Sequence, residues 1–240
     1  MSVKRYLGML AVLALSVVVV REARAGSVGV NFVGSKPDSQ TLAADAKAGA
    51  DDAAQSHWNN LTIANTDPNG HGNSGTLSTV TDDAGKTVKG MTVTVTGTDK
   101  GAAWPVNGAS WGFAGDNLTL VSGYVWPTPE IIIKGIPYAH YKVYVYAGAG
   151  SNGGQGSATI AVADGAKGKV DATDTYFYNF GWCGGKFVKS EAKTLAAAKG
   201  SASNLIIFTG NTASNITVQW KGTLGGSWTG VSAIQIVEDK

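Results

Sequence analysis

Residues 130–147 read "EIIIKGIPYAHYKVYVYA", two apolar segments separated by Gly135 and Pro137. Isoleucine, valine and tyrosine favour β-strands, and glycine with proline favours a turn between them. Because the side chains of a strand alternate between its two faces, "YKVYVYA" (141–147) presents two sets. One set predicts a hydrophobic core: Tyr141, Val143, Val145 and Ala147. The other is amphipathic and is expected to meet solvent or a ligand: Lys142, Tyr144 and Tyr146.

Similar runs recur along the chain, with glycine, asparagine or proline in nearly every gap. The clearest are "SVGVNFV" (27–33), "GMTVTVTG" (90–97), "SATIAVA" (157–163), "NLIIF" (204–208), "NITVQW" (215–220) and "GVSAIQIV" (230–237), and the less regular ones are "TLSTV" (76–80) and "NLTLVSG" (117–123). Alanine-rich segments predict short helices over 39–55 and 190–200, the second with Ser190 as its N-cap. The pattern predicts an all-β fold. We expect one domain over residues 26–240, an antiparallel jelly-roll β-sandwich with one or two helical insertions.

The first 25 residues have the features of a secretory signal peptide. Lys4 and Arg5 form a basic region, and residues 7–20 are uninterruptedly apolar. Residues 23–25 (Ala-Arg-Ala) then supply a small-x-small cleavage site. The apolar run is shorter than the about 20 residues of a transmembrane helix, which disfavours a membrane anchor. We expect cleavage before Gly26, a bacterial extracellular or cell-envelope location, and no membrane span in the mature chain.

Charge and cysteine content exclude several functional classes. The arginines of the sequence are Arg5, Arg21 and Arg24, all before the predicted cleavage point, and the remaining chain is close to neutral. Without arginine forks or a lysine cluster, the mature chain is poorly suited to bind nucleic acid. The single cysteine, Cys183, cannot form an internal disulfide, so it is buried, free and reactive, or paired with another chain.

Motifs that resemble cofactor or catalytic sites lack the context that such sites need. "GAGSNG" (148–153) matches a dinucleotide fingerprint, but a strand-like segment follows it instead of a helix. "GASWG" (108–112) matches a nucleophile elbow, but no helical pattern follows it. Asp67 and Asn69 are candidate calcium ligands in "DPNGHGN" (67–73), although the register departs from the EF-hand loop and a plain turn is favoured. We expect a protein without catalytic residues. A structural calcium ion is the single cofactor that these motifs suggest.

Several of the seven tryptophans lie among glycine, proline and asparagine, in "AAWPVNGASWGF" (102–113) and "GYVWPTP" (123–129). Exposed tryptophans are costly unless they pack or bind. Indole rings can stack on the apolar C–H faces of sugars, while amide and carboxylate groups bind the sugar hydroxyls. The candidate ligand-binding residues of this region are Trp104, Trp111, Trp126, Asn107, Asp116 and Asn117.

The stretch "TYFYNFGWCGGKF" (175–187) adds a second aromatic segment. Strand alternation would place four of its rings on one face: Tyr176, Tyr178, Phe180 and Trp182. The glycines that follow are expected to end the strand. We predict that Phe180 lies in the core, that Tyr178 and Trp182 lie at the rim of a binding site, and that Cys183 is mostly buried.

A family resemblance is carried by segments in a characteristic order: "SVGVNFVG" (27–34), "SHWNNL" (56–61), "GMTVTVTG" (90–97), "IKGIPYAHYKVYVY" (133–146) and "GSWTGVSAIQIVE" (226–238). Together they resemble a family of secreted β-sandwich domains of planctomycete and verrucomicrobial bacteria. The resemblance covers almost the whole mature chain. It implies a galactose-binding-like jelly roll, similar to carbohydrate-binding modules, in which the first and last strands pair and a structural calcium is frequent.

These observations predict a secreted, non-catalytic, lectin-like protein that binds an extracellular polysaccharide or other glycan through loop aromatics. An alternative is a structural cell-surface or extracellular-matrix protein that self-assembles through sheet edges or an aromatic patch, with Cys183 linking chains. A third interpretation, a glycan-active hydrolase, requires two carboxyl groups placed by separate strands, and no motif selects such a pair.

Overall fold

The computed structural model describes residues 26–33, 41–63, 73–98, 104–105, 111–149, 153–170, 175–224 and 229–240. Within them the chain forms thirteen strands and two short helices. The first strands are β1 (Ser27–Val33), β2 (Asn59–Thr62), β3 (Asn73–Leu77), β4 (Thr92–Thr98) and β5 (Trp104–Pro105). Helix α1 (Gly115–Leu120) precedes β6 (Gly123–Tyr124), β7 (Pro127–Lys134), β8 (Tyr141–Ala149), β9 (Gly154–Val162) and β10 (Thr175–Phe180). Helix α2 (Leu195–Ala198) precedes β11 (Leu205–Asn211), β12 (Ile216–Leu224) and β13 (Thr229–Glu238).

Two sheets pack face to face, so the predicted all-β sandwich is confirmed. One sheet has five strands in the order β11-β8-β13-β1-β2, the other has six in the order β10-β9-β12-β7-β4-β3, and β5 with β6 forms a short separate ribbon. From β7 to β13 the chain changes sheet at every connection except the one between β9 and β10. This repeated crossing produces the jelly-roll arrangement.

The first and last described strands pair with each other, as the family resemblance implied. β1 runs antiparallel to β13, with Ser27 opposite Val237 and Asn31 opposite Ala233. One pairing departs from the predicted antiparallel pattern, because β2 runs parallel to β1. Residues 34–58 lie between β1 and β2, which is enough chain for the crossover that a parallel pair requires.

The main core lies between the two sheets and is built by alternate residues of their strands. The six clearest runs and the two segments within 130–147 all form strands, and the apolar set Tyr141, Val143, Val145 and Ala147 is buried there. Facing them are aliphatic side chains of the six-stranded sheet, among them Ile131, Ile133 and Val218. The period-two pattern therefore predicted the inner faces correctly.

The outer face of β8 is predicted to meet solvent or a ligand, and this is wrong for two of its three residues, Tyr144 and Tyr146; Lys142 is partly exposed and forms an ion pair with Asp239. Tyr144 and Tyr146 are buried in a second apolar cluster with Trp58 and several alanines of the segment 41–58. The segment thus covers the outer face of the five-stranded sheet. In its described part it forms turns and an antiparallel bridge between Ala48 and Gln55, not the predicted helix. Small alanine side chains allow the backbone to lie close to the large tyrosine rings.

Two further local predictions need correction. "NLTLVSG" (117–123) does not form a strand, because α1 occupies most of it and buries Leu120. The second helix is shorter than predicted and begins after Thr194, whose side chain accepts a hydrogen bond from Ala197 N. Ser190 instead donates its hydroxyl to Phe177 O, which ties this segment to β10. None of the helices in the described ranges is long and apolar enough to cross a bilayer, and the predicted signal peptide lies outside those ranges.

Candidate functional site

Three of the four tryptophans predicted to bind ligand, Trp111, Trp126 and Trp182, lie close together near one end of the sandwich. The backbone of Trp104 in β5 pairs with that of Tyr124 in β6. Tyr124 and Trp126 form a small buried cluster, against which Trp111 packs. Because Trp126 is only 9% exposed, it forms the base of this cluster instead of offering a free face. Nothing is assigned to the side chain of Trp104, whose placement is not described.

Trp111 connects this cluster to the end of β10. Its ring packs edge-on against Phe180, with centroids 4.9 Å apart and an interplanar angle of 87°. The indole N–H is buried and has no acceptor among the described residues. Gly153 is closely packed here, because a Cβ on it would lie 3.2 Å from Trp111 Cη2. Trp111 is therefore held by packing on several sides, and its polar edge is left without a protein partner in the described part of the chain.

Trp182 is the exposed member of the group. Residues 176, 178 and 180 alternate inward as predicted, but Trp182 lies beyond the end of β10 and is 64% exposed. A Cβ on Gly112 would lie 3.0 Å from Trp182 Cη2, so the ring tip approaches the backbone next to Trp111. Gly185 N donates to Trp111 O at 3.1 Å, which joins the two loops. We call Trp111, Trp126 and Trp182 with Tyr124 the aromatic end.

The predicted rim position of Tyr178 is wrong. Its side chain is fully buried in the main core, where it stacks on Trp220 with centroids 4.5 Å apart. The hydroxyl bonds to Thr229 Oγ1, which satisfies the polar end inside the protein. Burial raises the pKa of Tyr178 well above 10. A polar tip on an aromatic residue therefore did not indicate a wet position, because a hydroxyl from a distant strand pairs with it.

Asp116 and Asn117 serve the fold. Asp116 Oδ2 accepts a hydrogen bond from Lys47 N at 2.7 Å, and Asn117 Oδ1 accepts one from Gly49 N at 2.8 Å. Both side chains of α1 therefore fix the segment 41–58, which covers the five-stranded sheet. One oxygen of each side chain is used in these contacts, and the binding of sugar hydroxyls by Asp116 and Asn117 stays a prediction.

Three candidate residues lie outside the described ranges: Asn107, Asp67 and Asn69. The described residues contain no group of three or more His, Cys, Asp or Glu side chains placed to hold a metal ion. Cys183, predicted to be mostly buried, is partly exposed and unpaired. Burial of the thiol nevertheless raises its pKa, because a low-polarity environment disfavours the thiolate.

The structure also contains a groove that the sequence analysis did not predict. It has a volume of about 330 Å³ and lies on the outer face of the six-stranded sheet. Its lining residues are Thr128, Pro129, Glu130, Ser157, Thr159, Gln219, Trp220 and Lys221. Part of the groove could be expected from the sequence, because Gln219 and Lys221 are polar residues at alternate positions of a strand and therefore share its outer face. The groove itself depends on three strands that are distant in sequence.

The chain was also compared with known proteins. No protein-family model matches it, and neither a curated protein nor a solved structure is significantly similar to it. The aromatic end and the groove are therefore the basis for assigning a function to this protein.

Proposed function

We propose that the protein is a secreted, non-catalytic, lectin-like protein that binds an extracellular glycan at the aromatic end. The observation that carries this proposal is the 64% exposure of Trp182, a large indole held against the backbone beside Trp111. A large apolar side chain that stays in water forgoes the free energy it would gain on burial. In folded proteins such exposed groups commonly mark binding surfaces. Secretion is inferred from the N-terminal sequence alone.

The chemistry of the aromatic end suits a sugar ring. The open face of Trp182 can stack on the apolar C–H face of a pyranose, an interaction that needs no charge. The tip of the ring approaches the backbone at Gly112, so a sugar stacked on Trp182 would lie beside a glycine-containing loop. The proposal includes the galactose-binding-like character that the sequence resemblance implies, and it assigns no covalent step.

Affinity measurements on Trp182 variants test this function. Wild-type protein is applied to a panel of insoluble and soluble polysaccharides, with and without added calcium. We expect retention on at least one glycan, an at least about tenfold loss of affinity for Trp182→Ala, and partial retention for Trp182→Tyr, which keeps a stacking ring. Val188→Ala is the matched control, since Val188 is also an exposed apolar residue, and it should bind like wild type. Failure of wild type to bind any glycan, with or without calcium, would overturn the proposal.

The alternative function, self-assembly at a surface, has one observation in its favour, the unpaired and partly exposed Cys183 near Trp182. Two sheet edges argue against assembly by edge-to-edge pairing. Ala192 bridges to Phe177 on edge strand β10, and Lys189 bridges to Leu205 on edge strand β11. Covered edges cannot easily extend the sheet into another molecule. Edge pairing is thereby disfavoured at β10 and β11, and glycan binding is our first proposal because the exposed indole of Trp182 is a direct structural observation.

A further inference from the structure

The groove on the six-stranded sheet lies over three central strands, β7, β12 and β9. Strand register places its polar residues side by side. Glu130 is opposite Gln219, and Gln219 is in turn opposite Thr159. Lys221 is opposite Ser157 in the neighbouring row. Adjacent rows on one face are about 7 Å apart, so these side chains converge on a small area.

The central polar groups of the groove are not used by the fold. Glu130, Gln219 and Lys221 make no side-chain hydrogen bond or ion pair within the described part of the chain. Thr159 differs, because its hydroxyl is 2.7 Å from that of Thr175 on β10, which fixes this wall. The groove therefore offers a carboxylate, an amide and an ammonium group for contacts with a bound molecule.

The chemistry of these groups selects the ligand. The carboxylate of Glu130 would repel polyanions and the ammonium of Lys221 would repel polycations, while the two charges together leave the groove neutral. Gln219 supplies a donor and an acceptor, and Thr128 and Ser157 add hydroxyls. The single aromatic residue in the lining, Trp220, is 2% exposed and cannot offer a ring face. Recognition must therefore rest on many closely spaced polar contacts.

We propose that this groove is a second binding site, separate from the aromatic end, for a neutral hydroxyl-rich ligand such as a short segment of a neutral saccharide. Sugar hydroxyls can donate to Glu130 and accept from Lys221 and Gln219 at the same time. The volume is at the lower end of ligand pockets, about 300–1,000 Å³, and suits a small segment. A protein partner is a poorer fit, because the centre of a protein interface is depleted in charged residues.

The experiment uses the full chain carrying Trp182→Ala, so that the aromatic end does not contribute to binding. Neutral tetrasaccharides of β-1,4-glucan, β-1,4-xylan, β-1,4-mannan and α-1,4-glucan are titrated by calorimetry and by NMR, with an oligogalacturonate as the anionic comparator. We expect at least one neutral saccharide to bind and to shift the side-chain amide signal of Gln219. Adding Gln219→Ala or Lys221→Ala should each weaken that binding about fivefold or more, the usual effect of losing one hydrogen bond.

Lys134→Ala is the matched control, because Lys134 is an exposed lysine of β7 outside the groove, paired with Asp164. It should change affinity less than about twofold.

The proposed binding function of the groove is refuted if Trp182→Ala binds no neutral saccharide at millimolar concentration. It is also refuted if adding both Gln219→Ala and Lys221→Ala leaves the affinity unchanged. Stronger binding of the oligogalacturonate than of every neutral saccharide would also overturn the assigned ligand class. If wild type retains a glycan and Trp182→Ala does not, binding at the aromatic end is supported and binding in the groove is refuted. The two proposals can therefore be tested separately.

Discussion

Tyr146 on β8 donates its hydroxyl hydrogen to Oε1 of Gln235 on β13 at 2.7 Å, and both side chains are fully buried. The same tyrosine oxygen accepts from Ala50 N at 3.1 Å. Gln235 Nε2 donates to Ala53 O at 2.6 Å and to Gln55 Oε1 at 2.8 Å. This network joins the five-stranded sheet to the segment 41–58, so the hydroxyl of Tyr146 and the amide of Gln235 depend on each other and on the backbone of that segment.

Gln235→Leu should be strongly destabilising. Leucine has a similar size but cannot bond to Tyr146, Ala53 or Gln55, which leaves several buried polar groups unpaired. Each unpaired group costs about 1–3 kcal/mol, so with three groups affected we expect a loss of at least about 3 kcal/mol in the free energy of unfolding. Urea denaturation followed by tryptophan fluorescence measures the change. Gln219→Leu, at an exposed position, should stay within about 0.5 kcal/mol of wild type. Equal effects at the two glutamines would contradict the network.

The sandwich is predictable from sequence because β-branched and aromatic runs recur between glycine, asparagine and proline, and some strands, such as β7 and β10, alternate with a period of two. The inner faces of β8 and β10 each follow from that period, and so does the placement of Phe180 in the core. Periodicity identifies which residues share a face, but it does not say what covers that face. The pattern therefore predicts solvent or a ligand beside Tyr144 and Tyr146, whereas a segment almost 100 residues earlier in the chain covers them.

The candidate site was predictable only in part. Trp182 follows a glycine at the end of a strand, and this local signal was sufficient to place it in a loop. Tyr178 was misplaced because its partner, Thr229, is 51 residues away. The groove was missed for the same reason, since Glu130, Ser157 and Gln219 meet only through sheet register. Long-range pairing of this kind has no signature in a single sequence.

Gly29→Ala tests the close packing of the outer segment on the sheet. A Cβ on Gly29 would lie 2.5 Å from Trp58 Cε3, so the buried indole would have to move. Overpacking of this kind typically costs about 1–3 kcal/mol. Chemical denaturation should show that loss, and a double-mutant cycle with Trp58→Ala should show a much smaller cost once the ring is absent. Gly200→Ala is the control, because the nearest atom to its Cβ is Ala197 O at 3.6 Å. A cost for Gly29→Ala that is the same in both backgrounds would refute the contact.

Stability should fall at alkaline pH because buried tyrosines resist ionisation. Burial raises the pKa of Tyr124 to about 12, from an ordinary value of 10. Between these values the unfolded chain releases the proton and the folded chain keeps it, so unfolding becomes more favourable as pH rises. Below pH 10 both states are protonated and the stabilising effect is complete. One such tyrosine contributes a slope of about 1.4 kcal/mol per pH unit between pH 10 and 12.

Tyr124→Phe isolates this contribution. The variant should match wild type near pH 7, and its stability should fall less steeply above pH 10 by about one proton. Unfolding free energies at several pH values give the slopes, and absorbance of tyrosinate gives the ionisation directly. Burial also raises the pKa of Tyr141 and Tyr146 above 10, so a residual slope should persist in the variant. If the free energies of unfolding of wild type and Tyr124→Phe change in parallel with pH, Tyr124 has the same pKa in the folded and unfolded states and the prediction is wrong.

Cys183 should be a slow nucleophile and should not link chains. Its thiol is partly buried, and the resulting rise in pKa lowers the thiolate fraction at neutral pH, where only the thiolate attacks disulfides. We expect slower reaction with an aromatic disulfide reagent at pH 8 in the folded protein than in urea, with a rate that keeps increasing beyond pH 9. Sedimentation should give the same species for wild type and Cys183→Ser in non-reducing buffer. Fast labelling together with a disulfide-linked dimer would instead support the self-assembly alternative, because an accessible thiolate is the requirement for joining two chains.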